Sequence, residues 1–187
     1  ALGVPVGFDT DVNAAALANN TALTLIGSAA GVVTGLIGNI AASTVCCSVL
    51  VTTGNATDNS IAITTGSAAT SITASGAGDV VTVAAAALAQ NTALTLSGSA
   101  AHTVTGLVGN ITAGSLTGAL TVTAGDAADN GISITTGSAA TSIAASGTSD
   151  IVTVNAAALA QNTALTLAGS AARTVTGLVG NIAAGSL

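Results

Sequence analysis

The chain has 187 residues, with 4% charged, 1% aromatic and a formal net charge of −6. Its whole ionisable inventory is seven Asp, His102, Arg173, Cys46 and Cys47, too sparse for acid–base chemistry spread over an ordinary active site. The expectation is a protein that is not an enzyme, and a single cation also excludes the several phosphate contacts that nucleic acids and anionic membrane surfaces require.

At the N-terminus, ALGVPVGFDTDV holds the only Pro and the only aromatic residue, Phe8, where later copies of the same phase read SITASGAGDVVTV. Residues 1–12 are therefore expected to act as a cap or assembly segment, and an N-terminal Ala is compatible with removal of an export signal. Residues 26–51 are free of charge in a chain of mean hydropathy +0.82, the length and character of a membrane-spanning helix. The same phase returns as SGSAAHTVTGLVGNITAGSL and AGSAARTVTGLVGNIAAGSL, with His, Arg and more Thr, so these segments read as amphipathic and no transmembrane span is expected.

That recurrence organises the whole chain. Leu17, Leu88 and Leu159 recur at one constant interval, and Asn39, Asn110 and Asn181 recur at the same interval, which defines a 71-residue copy. Residues 88–116 and 159–187 share 26 of 29 positions, which suggests recent duplication. The copies are placed near 13–83, 84–154 and 155–187, with 13–187 forming one unit of structure.

Within each copy the period is two. TALTL (92–96), HTVTG (102–106), ALTVT (119–123), GISIT (131–135) and DIVTV (150–154) alternate aliphatic residues with Thr or Ser, the pattern of strands with one buried face. Gly, Ser, Asn and Asp clusters separate them at intervals that fit a sandwich or a solenoid. A sandwich of this size anchors its core on large aromatics, which are missing here; stacked small aliphatics suit a narrow coil. The predicted fold is all-β, a parallel β-solenoid of the β-helix or β-roll kind. Coils of roughly 20 to 24 residues give about three per copy and about eight or nine in all, a tower roughly 40 Å long. The run from Ala84 into Leu88 fits either a helical turn or a strand.

The motifs SGAGDVVTVAA (75–85), AGDAADNGISIT (124–135) and SGTSDIVTVNAA (146–157) resemble the Gly- and Asp-rich nonapeptides of exported bacterial RTX-like and β-strand-repeat surface proteins. The resemblance implies a secreted, extracellular β-solenoid. The G-G-x-G-x-D calcium pattern is incomplete at every occurrence, so it does not by itself carry calcium sites over.

The Asp residues admit two readings. Asp58, Asp79, Asp126, Asp129 and Asp150 are candidate calcium ligands, Asn55 standing at the phase of Asp126; equally, Asp caps turns through its side chain. No other cofactor is expected. His102 and Arg173 share one phase with Gly31, and a position that accepts all three reads as an exposed, tolerant corner. Cys46 and Cys47 fall in a turn, where they are read as a packing pair, an interchain link in an oxidising compartment or a strained vicinal disulfide, and no C-x-x-C spacing points to metal or redox chemistry.

Two classes of function follow. One is a non-enzymatic extracellular structural repeat protein, a filament, sheath, stalk or adhesin subunit that self-associates through solenoid ends or through sides made apolar by Ile26, Val32, Ile37, Val45 and Leu50. The other is binding through an outward Thr face, Thr103, Thr105, Thr121, Thr123 and Thr153, with ice as the natural ligand. T-x-T pairs at 103–105 and 121–123 do not recur at one constant spacing, and ordinary strand solubility also explains them. A small-molecule substrate is not expected, because carboxylate clusters and aromatic sugar platforms are absent.

Overall fold

The structure, a computed structural model, describes residues 2–6, 10–55, 59–127 and 131–185. Alternating aliphatic and hydroxyl residues form strands throughout. In chain order these are β1 (Leu2–Val6), β2 (Thr10–Asn13), β3 (Ala22–Gly27), β4 (Gly31–Leu36), β5 (Asn39–Ala41), β6 (Val49–Thr53), β7 (Ser60–Thr64), β8 (Thr70–Ala74), β9 (Val80–Ala84) and β10 (Ala93–Gly98). There follow β11 (Ala101–Leu107), β12 (Asn110–Leu116), β13 (Leu120–Ala124), β14 (Gly131–Thr135), β15 (Thr141–Ala144), β16 (Ile151–Asn155), β17 (Ala164–Ala168), β18 (Ala172–Thr176) and β19 (Asn181–Ala184). No helix occurs among the described residues, and none is long and apolar enough to cross a membrane.

The chain winds as a parallel β-solenoid with two strands per coil. Odd-numbered strands pair in a ten-stranded sheet and even-numbered strands in a nine-stranded sheet, called here the odd and even sheets. Each pairing is parallel, so every strand inside a sheet hydrogen-bonds to its counterparts one coil before and one coil after. β1 and β2 join the same ladders, pairing with β3 and β4.

Alternation sends every second side chain inward. In the odd sheet Leu23, Ile40, Ile63, Val83, Val104, Val122, Ile143 and Leu167 stand in register on successive strands, and all are buried. The even sheet contributes similar columns, such as Val33, Val51, Ile72 and Leu96. Residues of nearly equal size lie one strand spacing apart, about 4.8 Å, so each fills the gap left by the next without aromatic bulk. The corners differ in length: one coil carries the register from Ser142 on β15 to Thr166 on β17, and the next, shorter coil carries it from Thr166 to Ala183 on β19. Asn20, Asn91 and Asn162 turn corresponding corners with φ near +62°, a left-handed conformation that Asn tolerates. Gly98 and Gly169 are required at another corner, where φ is 102° and 99° and a Cβ would collide with the carbonyl oxygen of Ala74 or Ala145. The run after Ala84 is a turn, closed by the Leu88 N–H donating to the Ala85 carbonyl at 3.2 Å, with Leu88 buried.

The repeat differs from expectation in one respect. Corresponding strands β3, β10 and β17 are seven strands apart, so a 71-residue copy makes three and a half coils, not three. A coil of only two short strands uses less chain than three coils per copy would require. Because seven is odd, β3 and β17 lie in the odd sheet and β10 in the even sheet: equivalent residues of neighbouring copies face opposite sides of the solenoid.

Truncating an inward side chain tests this packing. Ile143→Ala should cost about 2–5 kcal/mol in urea unfolding, whereas outward Thr121→Ala should stay within about 0.5 kcal/mol.

Candidate functional site

The most regular surface is a column of hydroxyls on the odd sheet. Thr82, Thr103, Thr121, Ser142 and Thr166 are register partners on five consecutive strands of that sheet, β9 to β17. Their sequence spacing is irregular because corners of unequal length lie between them, yet the ladder aligns them. Thr105 and Thr123 point outward from β11 and β13 beside this column. Thr153 does not join them: it lies on β16 in the even sheet, between Ser133 and Thr174. The sequence reading missed Thr82, Ser142 and Thr166, and also the even-sheet column of Ser71, Thr95, Thr112 and Thr135. Their signal was the hydroxyl inside each alternating run, but only the ladder says which runs are neighbours. On the even sheet, the Thr73 and Ser97 hydroxyls bond to each other across a coil at 3.0 Å.

The apolar residues of the first copy do not form one patch. Ile26, 42% exposed, lies on the odd sheet, Val32 and 43%-exposed Leu50 on the even sheet, and Val45 is buried in the core. Ile37 is half-buried. Alternation of faces between strands separates them.

The shared phase of Gly31, His102 and Arg173 points inward, which corrects the reading of an exposed corner. His102 stands between Val81 and Leu120 in an inward column and is 1% exposed. Its Nδ1 lies 3.0 Å from the Ala100 carbonyl oxygen, which makes Nδ1 the protonated nitrogen, and its Nε2 has no hydrogen-bond partner among the described residues. Arg173 uses the same corner: its guanidinium donates to the carbonyls of Gly169, Ala171 and Ala145, each at 2.9 Å, and to that of Ala168. Backbone carbonyls turned into the corner are what admit a polar side chain. At Gly31 a Cβ would meet nothing within 4 Å, and a pocket of about 180 Å³ that opens to solvent lies there, lined by Gly31, Val49, Leu50, Thr70 and their neighbours. Sequence variability at this phase therefore does not mark exposure, since His102 is buried and Arg173 half-buried.

The described Asp residues separate into different settings. Asp79 is buried; its Oδ1 accepts the Asn59 N–H at 2.8 Å across one coil, while its own N–H closes a turn on the Gly76 carbonyl at 3.0 Å. Asp150 is buried at the equivalent corner and closes the same turn on Gly147. Exposed Asp126 approaches it: a Cβ on Gly147 would strike Asp150 Oδ2 and come within 3.2 Å of Asp126 Oδ1. In the first copy Asn55 occupies the phase of Asp126. Asp58, Asp129 and Phe8 lie outside the described residues. Among the described residues no three His, Cys, Asp or Glu side chains gather as a metal-binding group.

Cys46 is exposed and Cys47 half-buried, with their Sγ atoms 3.8 Å apart and no disulfide between them. Cys47 donates to the Ser28 carbonyl at 2.8 Å.

The chain matches no protein-family profile, no curated protein and no solved structure. Its functional reading therefore rests on its own geometry.

Burial pushes the His102 pKa below the usual 6.5, against the smaller raising effect of its bond to Ala100. A depressed folded pKa means that the folded state binds fewer protons than the unfolded one. Stability is then fully present above the unfolded value and declines as pH falls through it. Between about pH 7.5 and about pH 5.5 the urea midpoint of the natural protein should fall further than that of His102→Leu, and equal shifts would count against this assignment.

Proposed function

We propose that the chain is a non-enzymatic structural segment of the cell exterior, a stalk, sheath, filament or adhesin subunit. The observation that carries this reading is the pair of parallel sheets, ten and nine strands deep, stacked in register over an aliphatic core. Such a ladder resists bending because each strand is hydrogen-bonded on both sides, and it extends by repetition without redesign of the core.

Each interior coil covers the aliphatics of the coil before it: Leu107 and Ile111 are 0% and 1% exposed beneath the coil that follows them. Three and a half coils per 71-residue copy also place equivalent side contacts on alternating sides of the rod.

Inserting one further 71-residue copy should lengthen the particle by about 17 Å, three and a half strand spacings, in solution scattering and electron microscopy. Antibody raised against the protein should label intact source cells. Labelling only after permeabilisation, or no lengthening, counts against the reading.

A specific observation favours a second reading, binding through an ordered hydroxyl face such as ice recognition: the five-strand column from Thr82 to Thr166 on the odd sheet. Under this reading the protein shapes growing ice crystals and Thr121→Lys abolishes the effect. Unaltered ice growth with the natural protein at about millimolar concentration removes it.

A further inference from the structure

We propose that Cys46 and Cys47 form a chelating site for one thiophilic d10 dication at the corner preceding β6. The site is independent of the structural reading above.

The distance between the sulfurs is the first ground. Two ligands of a tetrahedral thiolate centre with metal–sulfur bonds of about 2.3 Å lie about 3.8 Å apart along one edge of the tetrahedron. The two Sγ atoms are 3.8 Å apart, far beyond a disulfide bond of about 2.05 Å. Their spacing is already that of two ligands on one ion.

The second ground is the rigidity of the frame. Val45 is buried in the core; its N–H donates to the Ala42 carbonyl at 2.9 Å and its own carbonyl accepts the Ser67 N–H from the following coil at 3.1 Å. Cys47 is oriented from the preceding coil through its bond to the Ser28 carbonyl. Coils on both sides thus fix the backbone and one of the two thiols, while exposed Cys46 leaves the ion an approach from solvent. A fixed backbone with one thiol already oriented lowers the ordering cost that an unfolded chain meets on binding.

The third ground is donor chemistry. Thiolates select soft cations, and no third His, Cys, Asp or Glu completes the group among the described residues. The remaining coordination positions are left to water or to an external thiol. On binding, both thiols release their protons to solvent, two sulfur–metal bonds form, and Cys47 gives up its hydrogen bond to Ser28. At the same phase one copy later stand Thr117 and Gly118, so the second copy lacks the site.

Titration of the reduced full chain with Cd2+ tests the proposal, read by thiolate-to-metal charge-transfer absorption, which the absence of Trp and Tyr leaves unobscured. Saturation is expected at one ion per monomer, with affinity at least about tenfold above that of the urea-unfolded chain. Cys46→Ser and Cys47→Ser, each verified as folded by circular dichroism, should each weaken binding about 100-fold. Three results would overturn the site: undiminished binding by either variant, equal affinity in the unfolded chain, or one ion shared by two chains with dimer formation in light scattering.

Discussion

The parallel backbone ladder between successive coils is the interaction on which everything else in this protein depends. It fixes the register of each strand against the next, and register brings like residues together, inside as columns of Leu, Ile and Val and outside as columns of Thr and Ser. Within such a column a small aliphatic packs as well as a large aromatic would in a sandwich, because its neighbours sit one strand spacing above and below. Corner length is then free to vary, which explains how the long step from Ser142 to Thr166 and the short one from Thr166 to Ala183 coexist in one regular sheet.

An odd number of strands per repeat has consequences that no single coil reveals. The outward column that reads Thr82, Thr103 and Thr121 on the odd sheet reads Asp11, Val32 and Leu50 one copy earlier on the even sheet. A substitution at one phase of the repeat therefore appears on opposite sides of the rod in neighbouring copies. Equivalent columns of successive copies thus present different residues on opposite faces while sharing one core.

Backbone groups meet several of the polar side chains that enter the interior. His102 and Arg173 sit at a corner whose carbonyls point inward, and Gly31 at the same corner leaves space. Asp79 performs the converse task, its carboxylate accepting a backbone N–H from the neighbouring coil. Arg173 and Asp79 tie neighbouring coils, through the Ala145 carbonyl and the Asn59 N–H, whereas the His102 bond to Ala100 stays within its own coil.

The sequence by itself determined the local structure, because strand alternation and turn chemistry are short-range. The period of two in ALTVT or GISIT sets which residues face inward, and the lack of aromatics excludes a sandwich core in favour of stacked aliphatics. It also made the 71-residue copy visible, but not its three and a half coils, since only pairing in three dimensions counts strands per turn. Side-chain variability misled at His102: the corner carbonyls that accommodate the ring come from chain folding, and nothing local marks them. The Thr residues were legible one strand at a time, yet corners of unequal length conceal register, so the tertiary structure alone decided that Thr103 and Thr121 stand together with Thr82 and Thr166 while Thr153 faces the other way.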